Sequence, residues 1–545
     1  MNIPSVPTRP FDDQRPGTAG LRKPVARFRV PNYLENFIQS VFDCQPALHG
    51  ATLVIGGDGR FFNREAIAVL LRMAAANGVK RCVIGQDGLL STPAASLLIS
   101  AVKAAGGFIL SASHNPGGPD GDFGIKFNVG NGGQASETLT EAIYAKSRVI
   151  DRYLIIPDEC RVDLGRIGAQ SFAGMQVEIV DPVSHYASVM QRCFDFERMR
   201  ALLTGGNFRM RFDAMSAVTG PYAKEIFERQ LGAPAGMVLN ATPLPDFGGG
   251  HPDPNPHDAA DLVASFSGKD APDFGAASDG DGDRNMILGP GVVVSPGDSL
   301  ALLAANASRV PGYKDGLAGL ARSMPTSRAA DRVAAKLGIP CYETPTGWRF
   351  FANLLDAGKV TLCGEESFGT SSNHAREKDG VWAVLFWLNI LAARREPLPA
   401  ILKAHWAEYG RDYFLREDYD IPDSARAVEV MKFLEATLPT LPGKSVAGIA
   451  IGSADSFTYE DPIDHSVSRN QGLRIFTADG GRMSFRLSGT GTRGATLRVY
   501  LERHEGDPVR QGQAATAALA ALSKAAQAIA KLEEMTGLKK PTQVT

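Results

Sequence analysis

Apolar positions along this chain come in short blocks broken by glycine and asparagine, and the blocks alternate in length and period. Residues 51–55 (ATLVI) are an uninterrupted apolar run ending in Gly56-Gly57-Asp58-Gly59. A run of that length predicts a buried strand. Residues 64–76 then carry helical periodicity and stop at Asn77-Gly78, a helix C-cap signature. Residues 81–84 predict the next strand, and residues 93–105 a helix opened by Thr92 at the N-cap and Pro93 at its first position. Residues 108–110 predict a third strand. This strand–helix alternation implies a mainly parallel sheet covered on both sides.

The rhythm recurs twice. Strands are expected at 208–212, 237–240 and 274–277, with helices over 221–230 and 259–265. A third round places a helix at 299–307, a strand at 341–344, a helix at 350–356, a strand at 360–363 and a strongly apolar helix at 379–394. From about Tyr409 the pattern changes: a helix over 425–438, strands through Glu502, and an alanine-rich helix over 511–536. The expected fold class is therefore α/β: three related mixed α/β domains followed by a C-terminal α+β domain. The expected boundaries are 1–185, 186–303, 304–408 and 409–545.

Composition narrows the class of protein without naming a function. The 545 residues are 44% hydrophobic and 21% charged, ordinary values for a globular chain. A net charge of -2 gives no basic footprint for nucleic acid. Six scattered cysteines, with no CxxC pair and no zinc spacing, fit free thiols in a reducing compartment. The opening MNIPSVPTRPFDDQRPG lacks the apolar stretch of a signal peptide. No run approaches the roughly 18 apolar residues needed to span a bilayer. A soluble cytoplasmic protein with no membrane partner is the expectation.

Four polar loops carry the chemistry. Residues 111–128 read SASHNPGGPDGDFGIKFN and follow the apolar run 108–110. A strand ending this way delivers Ser113 and His114 to the carboxyl edge of the sheet, where ligands bind. The glycines let backbone N–H groups approach an anion. Ser113 is a candidate nucleophile or phosphate carrier, with Lys126 as a charge partner; taken alone, such a loop is more often an ordinary strand-to-helix connection. In Asp279-Gly280-Asp281-Gly282-Asp283-Arg284, the spacing lets three carboxylates converge on one hard cation while the glycines allow the curl, the plainer alternative being a solvated acidic turn. An EF-hand is excluded, because the twelfth position holds Pro290 rather than Glu. Arg284 implies that the metal site also meets an anion.

Gly364-Glu365-Glu366-Ser367-Phe368-Gly369 suits recognition of vicinal sugar hydroxyls, against the plainer reading of an acidic helix start; Thr346, Gly347, Trp348 and Arg349 supply a second wall. Arg486-Leu487-Ser488-Gly489-Thr490-Gly491-Thr492, with Arg498 beyond it, reads as a phosphate cradle of hydroxyls, backbone donors and guanidinium forks. The plainer alternative is a hairpin turn. Lys378, Arg22 and His114 each have a bland reading as well, the first two as surface charges and the last as a loop-bonded histidine.

In this order and spacing, from about Phe11 to Leu501, the loops resemble those of the α-D-phosphohexomutase superfamily, its phosphoglucomutase branch above all. The motifs are PGTAGLRK, SASHNPGGPDGDFGIKFN, DGDGDRNMIL, PTGWRFF, GEESFGTSSNHAREKDG and RLSGTGTRGATLRVY. The resemblance implies four domains around a central cleft and a phosphate carried on Ser113. It implies one Mg²⁺ per chain on Asp279, Asp281 and Asp283, with a phosphoserine oxygen as fourth ligand. Sugar reading falls on Glu365 and Ser367, with Thr346, Gly347 and Trp348 nearby. Phosphate binding falls on Arg486, Ser488, Gly489, Thr490, Thr492 and Arg498. Arg22, Lys126, Arg284 and Lys378 match residues lining the substrate or the transferring phosphate, with His114 beside the carrier. Ser111 stands for the usual threonine, Arg349 for a lysine and Thr492 for a serine; each keeps its hydroxyl or charge. GEESFG, unlike the GEMSGH-like loop of mannose-accepting relatives, favours glucose phosphates. The implied reaction interconverts glucose 1-phosphate and glucose 6-phosphate through glucose 1,6-bisphosphate, with small phosphosugars as the partners and an oligomeric state, monomer or dimer, left open.

Overall fold

The computed structural model describes residues 5–17, 19–488 and 494–545. The chain forms two compact units. The first is Met1–Val293, Ala307–Gly316 and Gly369–Arg395; the second is Val294–Asn306, Leu317–Phe368 and Glu396–Thr545.

In the first unit, the apolar runs Thr52–Gly57, Arg81–Leu89 and Gly106–Leu110 lie side by side at the centre of a seven-stranded sheet. The central pairs are parallel, because helices Asn63–Ala76 and Thr92–Ala101 form the crossovers. The expected 93–105 helix stops at Ala101, and Lys103 turns left-handed with φ of +51°. Its N-cap is Ser91, whose Oγ accepts from Ala94 N; Thr92 is free for another task.

The sheet is less parallel than its pattern predicts. Gly106–Leu110 pairs antiparallel with Asp122–Val129, which pairs antiparallel with Leu21–Pro24. The serine loop is therefore a hairpin connection, and the strand-to-helix alternative fails. Alternation in DFGIKFN, with Phe123, Ile125 and Phe127 packed into the core, is the physical reason. A second sheet repeats the plan. Met210–Asp213 pairs parallel with Val238–Leu239 and Phe274–Ala277, and Phe274–Ala277 returns antiparallel to Met286–Gly289. The acidic loop occupies that return. Helix Gly380–Arg394 is apolar all round and buried from 380 to 392, with Asp379 capping Trp382 N.

In the second unit, Leu320–Ser323 pairs parallel with Cys341–Thr344 and with Leu362–Gly364. The helix expected at 299–307 runs instead from Pro296 to Ala305, because Ser295 caps Asp298 N and Pro296 takes the first position. The C-terminal sheet is antiparallel, with Arg482–Ser488, Ala495–Glu505 and Arg411–Ile421 at its centre. Helices Ser424–Thr437 and Ala520–Ala530 pack their apolar faces against it.

The single helix expected over 511–536 is three pieces: Ala515–Ala518, Ala520–Ala530 and Leu532–Thr536. Lys531 adopts φ of +48°, and the buried Gln511 is held outside the helix by bonds to Trp406 O and Glu505 O. Helices Tyr33–Cys44 and Leu398–Tyr409 were not foreseen.

Candidate active site

The first unit gathers the charged chemistry. Ser113, three residues past the strand Gly106–Leu110, is buried with φ of +53°, a conformation that a non-glycine residue adopts only when its surroundings enforce it. Those surroundings are a buried ion pair, Arg60 Nε to Asp58 Oδ2 at 2.9 Å. Arg60 Nη2 donates to Ser113 O at 2.6 Å, and Asp58 Oδ2 accepts from Ser111 Oγ, which in turn accepts from Ser113 N. Sequence reasoning did not single out Asp58 or Arg60 as functional. The available signal was their position in GDGR, at the carboxyl end of the neighbouring parallel strand.

Ser113 Oγ donates to Asp279 Oδ2 at 2.8 Å and lies 3.4 Å from His114 Nδ1. The His114 ring meets His251 edge-on, with centroids 6.1 Å apart. A Cβ on Gly280 would stand 2.4 Å from Ser113 O, so the close approach of the two loops requires glycine there.

Asp279, Asp281 and Asp283 are all buried, and their ligand oxygens lie within 4.8 Å of one another. Each faces its own cation: Arg284 Nε at 3.9 Å from Asp279, Lys126 Nζ at 3.8 Å from Asp281, and Lys378 Nζ at 3.1 Å from Asp283. Arg284 also pairs with Asp253 at 2.9 Å. The Asp279 carboxyl is pushed well above the usual carboxylate range, first by burial and then by the charges of Asp283 and Asp281. Burial opposes ionisation of Asp281 too, but Lys126, the Thr92 hydroxyl, Arg22 and Lys378 outweigh it and hold that group low. Thr92 Oγ1 donates to Asp281 Oδ2 at 2.5 Å, the task its freedom from capping permits.

Oδ1 of Asp281 and Oδ1 of Asp283 are buried without a hydrogen-bond donor. Oxygen atoms so arranged fit a hard divalent cation. Arg22, half-buried, leaves its buried Nε unpartnered, as does Arg284, so anion donors face the same cluster. The Lys378 stem passes Gly369, where a Cβ would come within 2.3 Å of its Cδ.

The second unit holds a different kind of surface. Glu365 Oε1 accepts from Gly347 N at 2.8 Å, bringing the segments at 346–349 and 364–369 together. Glu366 takes donors from Ser323 Oγ at 2.6 Å and Tyr500 OH at 3.0 Å, with Arg486 3.8 Å away. Burial acts against its ionisation, yet Arg486 and Ser323 keep it below its ordinary value. Ser367 is buried beside them. Thr346 Oγ1 and Trp348 Nε1 are buried with no hydrogen-bond partner, which marks a wall awaiting one.

Arg486 and Arg498 sit opposite each other across the hairpin of Arg482–Ser488 and Ala495–Glu505, and Arg498 lies 3.7 Å from Asp418. Ser488, half-buried, ends the first of these strands. Gly489, Thr490 and Thr492 lie outside the described residues.

A fold of repeated α/β units with a serine against an acidic metal cluster defines a phosphosugar mutase, an isomerase that shifts phosphate within one molecule. Comparison agrees: models of phosphoglucomutase/phosphomannomutase α/β/α domains I, II and III match residues 13–153, 184–291 and 296–409. The phosphoglucomutase-1 C-terminal domain model matches 411–542. The chain belongs to the phosphoglucomutase/phosphomannomutase family, on its phosphoglucomutase branch. It is 57% identical over 543 residues to phosphoglucomutase of Rhizobium radiobacter, covering 100% of both chains. It is 51% identical over 563 residues to human phosphoglucomutase-1, again covering 100% of both. The solved open form of Paramecium pp63/parafusin, a phosphoglucomutase, superposes with a TM-score of 0.91 at 46% identity over 100% of both chains. No helix among the described residues is long and apolar enough to cross a membrane.

Proposed function

We infer that this chain interconverts α-D-glucose 1-phosphate and glucose 6-phosphate, with Ser113 as the phosphate carrier. The observation that carries the reading is the Ser113 hydroxyl 2.8 Å from Asp279, within a buried three-carboxylate cluster that answers to four cations. Phosphoserine 113 passes its phosphoryl group to the free hydroxyl oxygen of either substrate, giving glucose 1,6-bisphosphate. The Oγ–P bond breaks as the new O–P bond forms, and the other phosphate is then returned to Ser113 Oγ. The proton of the attacking hydroxyl passes to the general base, Lys126 or Lys378 as its neutral amine, and is returned when the other phosphate goes back to Ser113 Oγ; Arg22 and Arg284 face the transferring charge.

Asp279, Asp281 and Asp283, with an oxygen on Ser113, would hold one Mg²⁺, which supplies charge stabilisation to the transferring phosphoryl group. Glucose 1,6-bisphosphate acts as intermediate and activator. Glu365 and Ser367, with Thr346, Gly347 and Trp348, read the sugar hydroxyls. Arg486, Ser488, Gly489, Thr490, Thr492 and Arg498 hold the phosphate that is not reacting. The boundaries 1–185, 186–303, 304–408 and 409–545 then assign one loop to each domain.

A cytoplasmic location is part of the same reading, supported by a 48%-identical Arabidopsis relative named as a probable cytoplasmic phosphoglucomutase. The test pairs a coupled assay on glucose 1-phosphate with mass spectrometry. Turnover and a gain of about 80 Da, one phosphoryl group, on the Ser113 peptide are expected. Turnover with the modification on another residue removes Ser113 as carrier. Faster turnover on mannose 1-phosphate moves the chain to the mannose branch.

A further inference from the structure

Glu377 is a fully buried carboxylate outside the motif roles assigned above. It follows the sugar loop in chain order, one residue before Lys378, yet it faces the strand that follows the serine loop. Its Oε1 accepts from Asn128 Nδ2 at 2.9 Å and lies 3.4 Å from Lys126 Nζ; its Oε2 accepts from Gln134 Nε2 at 2.9 Å. Asn128 Nδ2 is shared with Gly132 O, so the carboxylate is tied to the end of the strand Asp122–Val129 and the turn beyond it.

Lys126 pairs in register with Ile109 on the strand that carries Ser113 at its end. It is 6% exposed and has an anion on either side: Glu377 at 3.4 Å and Asp281 at 3.8 Å. A lysine ammonium is a compact charge on a flexible stem, with no geometry of its own to fix where it stops. Between two carboxylates it has one place to rest. Removing Asp281 would destroy the metal cluster as well, whereas Glu377 touches none of the three aspartates' assigned work.

We propose that Glu377 is the positioning residue for Lys126: it holds the amino group at the Asp281 side of the transferring group, so that the side chain is in place before substrate binds. The inference rests on the mutase reading above.

The experiment is a double-mutant cycle of Glu377→Gln and Lys126→Met in the full chain with Mg²⁺, reading kcat, KM for glucose 1-phosphate and melting temperature. Glutamine keeps the shape and removes the charge. Glu377→Gln should lower kcat by about 10- to 100-fold, the usual effect of a misplaced reacting group, with KM within about twofold. The double variant should lose no more than Lys126→Met alone, since the positioning residue has nothing left to position. Multiplicative losses, an unchanged kcat, or an effect confined to KM would overturn the proposal.

Should Glu377→Gln alone fail to fold, the Lys126→Met background decides. There Glu377 is a buried charge stripped of its cation, and Glu377→Gln should raise the melting temperature; no rise overturns the pairing. Wild-type turnover separates the two readings. No turnover removes the mutase assignment, while turnover with multiplicative losses removes only the role of Glu377.

Discussion

The two compact units solve opposite electrostatic problems. In the first, like charges are forced together and each is answered: Asp279 by Arg284, Asp281 by Lys126, Asp283 by Lys378. In the second, the neutral atoms Thr346 Oγ1 and Trp348 Nε1 are left unpartnered, and Glu365 accepts from a backbone N–H. A buried polar atom left unpaired costs about 1–3 kcal/mol, which a ligand bearing the missing partner gives back. Both units leave buried polar atoms unpartnered, but those around the three aspartates of the first are charged groups set against opposite charges, and those at 346–348 in the second are the neutral donors of Thr346 and Trp348. Substitutions in the first unit should act on kcat, and those in the second on KM and on the choice of sugar.

The harshest challenge to that division is Ser113→Ala. Loss of the carrier oxygen should lower kcat on the order of 10⁴-fold or more, as for other covalent nucleophiles, and abolish transfer of labelled phosphate to the protein. Retained labelling would move the carrier elsewhere and dissolve the distinction between the units. Asp281→Asn comes next, with an expected loss on the order of 10²- to 10³-fold in kcat. It also bears on the metal. Mg²⁺ at a hundred times its dissociation constant should stabilise the wild type by about 2.7 kcal/mol, seen as a rise in melting temperature. Asp281→Asn should show little of that rise, and an equal rise would place the cation away from these aspartates.

What could be read from the chain divides along the same line. The serine and acidic loops, which meet at Ser113 and Asp279, were legible because their residues are local: glycine, hydroxyl and carboxylate at fixed spacing after an apolar run. The supports were not. Asp58 and Arg60 lie more than fifty residues from Ser113 in sequence, and Glu377 about 250 from Lys126, so no window of sequence joins them. The serine loop's antiparallel return was missed for a related reason. The alternation of Phe123, Ile125 and Phe127 is visible in the sequence, but the stretch reads as part of the polar loop, and only the pairing with Gly106–Leu110 makes it a strand. The C-terminal helix was overextended because alanine propensity says nothing of the left-handed turn at Lys531.

Glu365→Gln probes the second unit at smaller scale. It retains the acceptor for Gly347 N but loses the charge offered to sugar hydroxyls, so kcat/KM for glucose phosphates should fall roughly 10- to 100-fold. The loss should appear mainly in KM, with a narrowed ratio of glucose 1-phosphate over mannose 1-phosphate turnover. A fall in kcat as deep as that of Asp281→Asn would mean that the two units do not divide the work.

The mildest test compares two carboxyls whose pKa values are raised for different reasons. Asp279, in the first unit, is raised by burial and also by two neighbouring aspartates that a cation would offset. Asp298, in the second, is pushed up to about 6, mainly by burial, with the charge of Asp412 adding to it. A folded pKa above the unfolded 3.8 means stability that is fully present below about pH 3.8 and lost as pH rises through about 6. At pH 8 that loss amounts to about 3 kcal/mol, at about 1.4 kcal/mol for each tenfold change in proton affinity between the folded and unfolded chain. Asp298→Asn removes the titrating charge while leaving the Ser295 cap to the backbone N–H of residue 298 in place. The melting temperature should therefore rise by several degrees at pH 8 and by much less at pH 4, with kcat unchanged. A drop at both pH values would mean that hydrogen bonding, not charge burial, governs Asp298, and the contrast with Asp279 would then lie in their partners rather than in their charge.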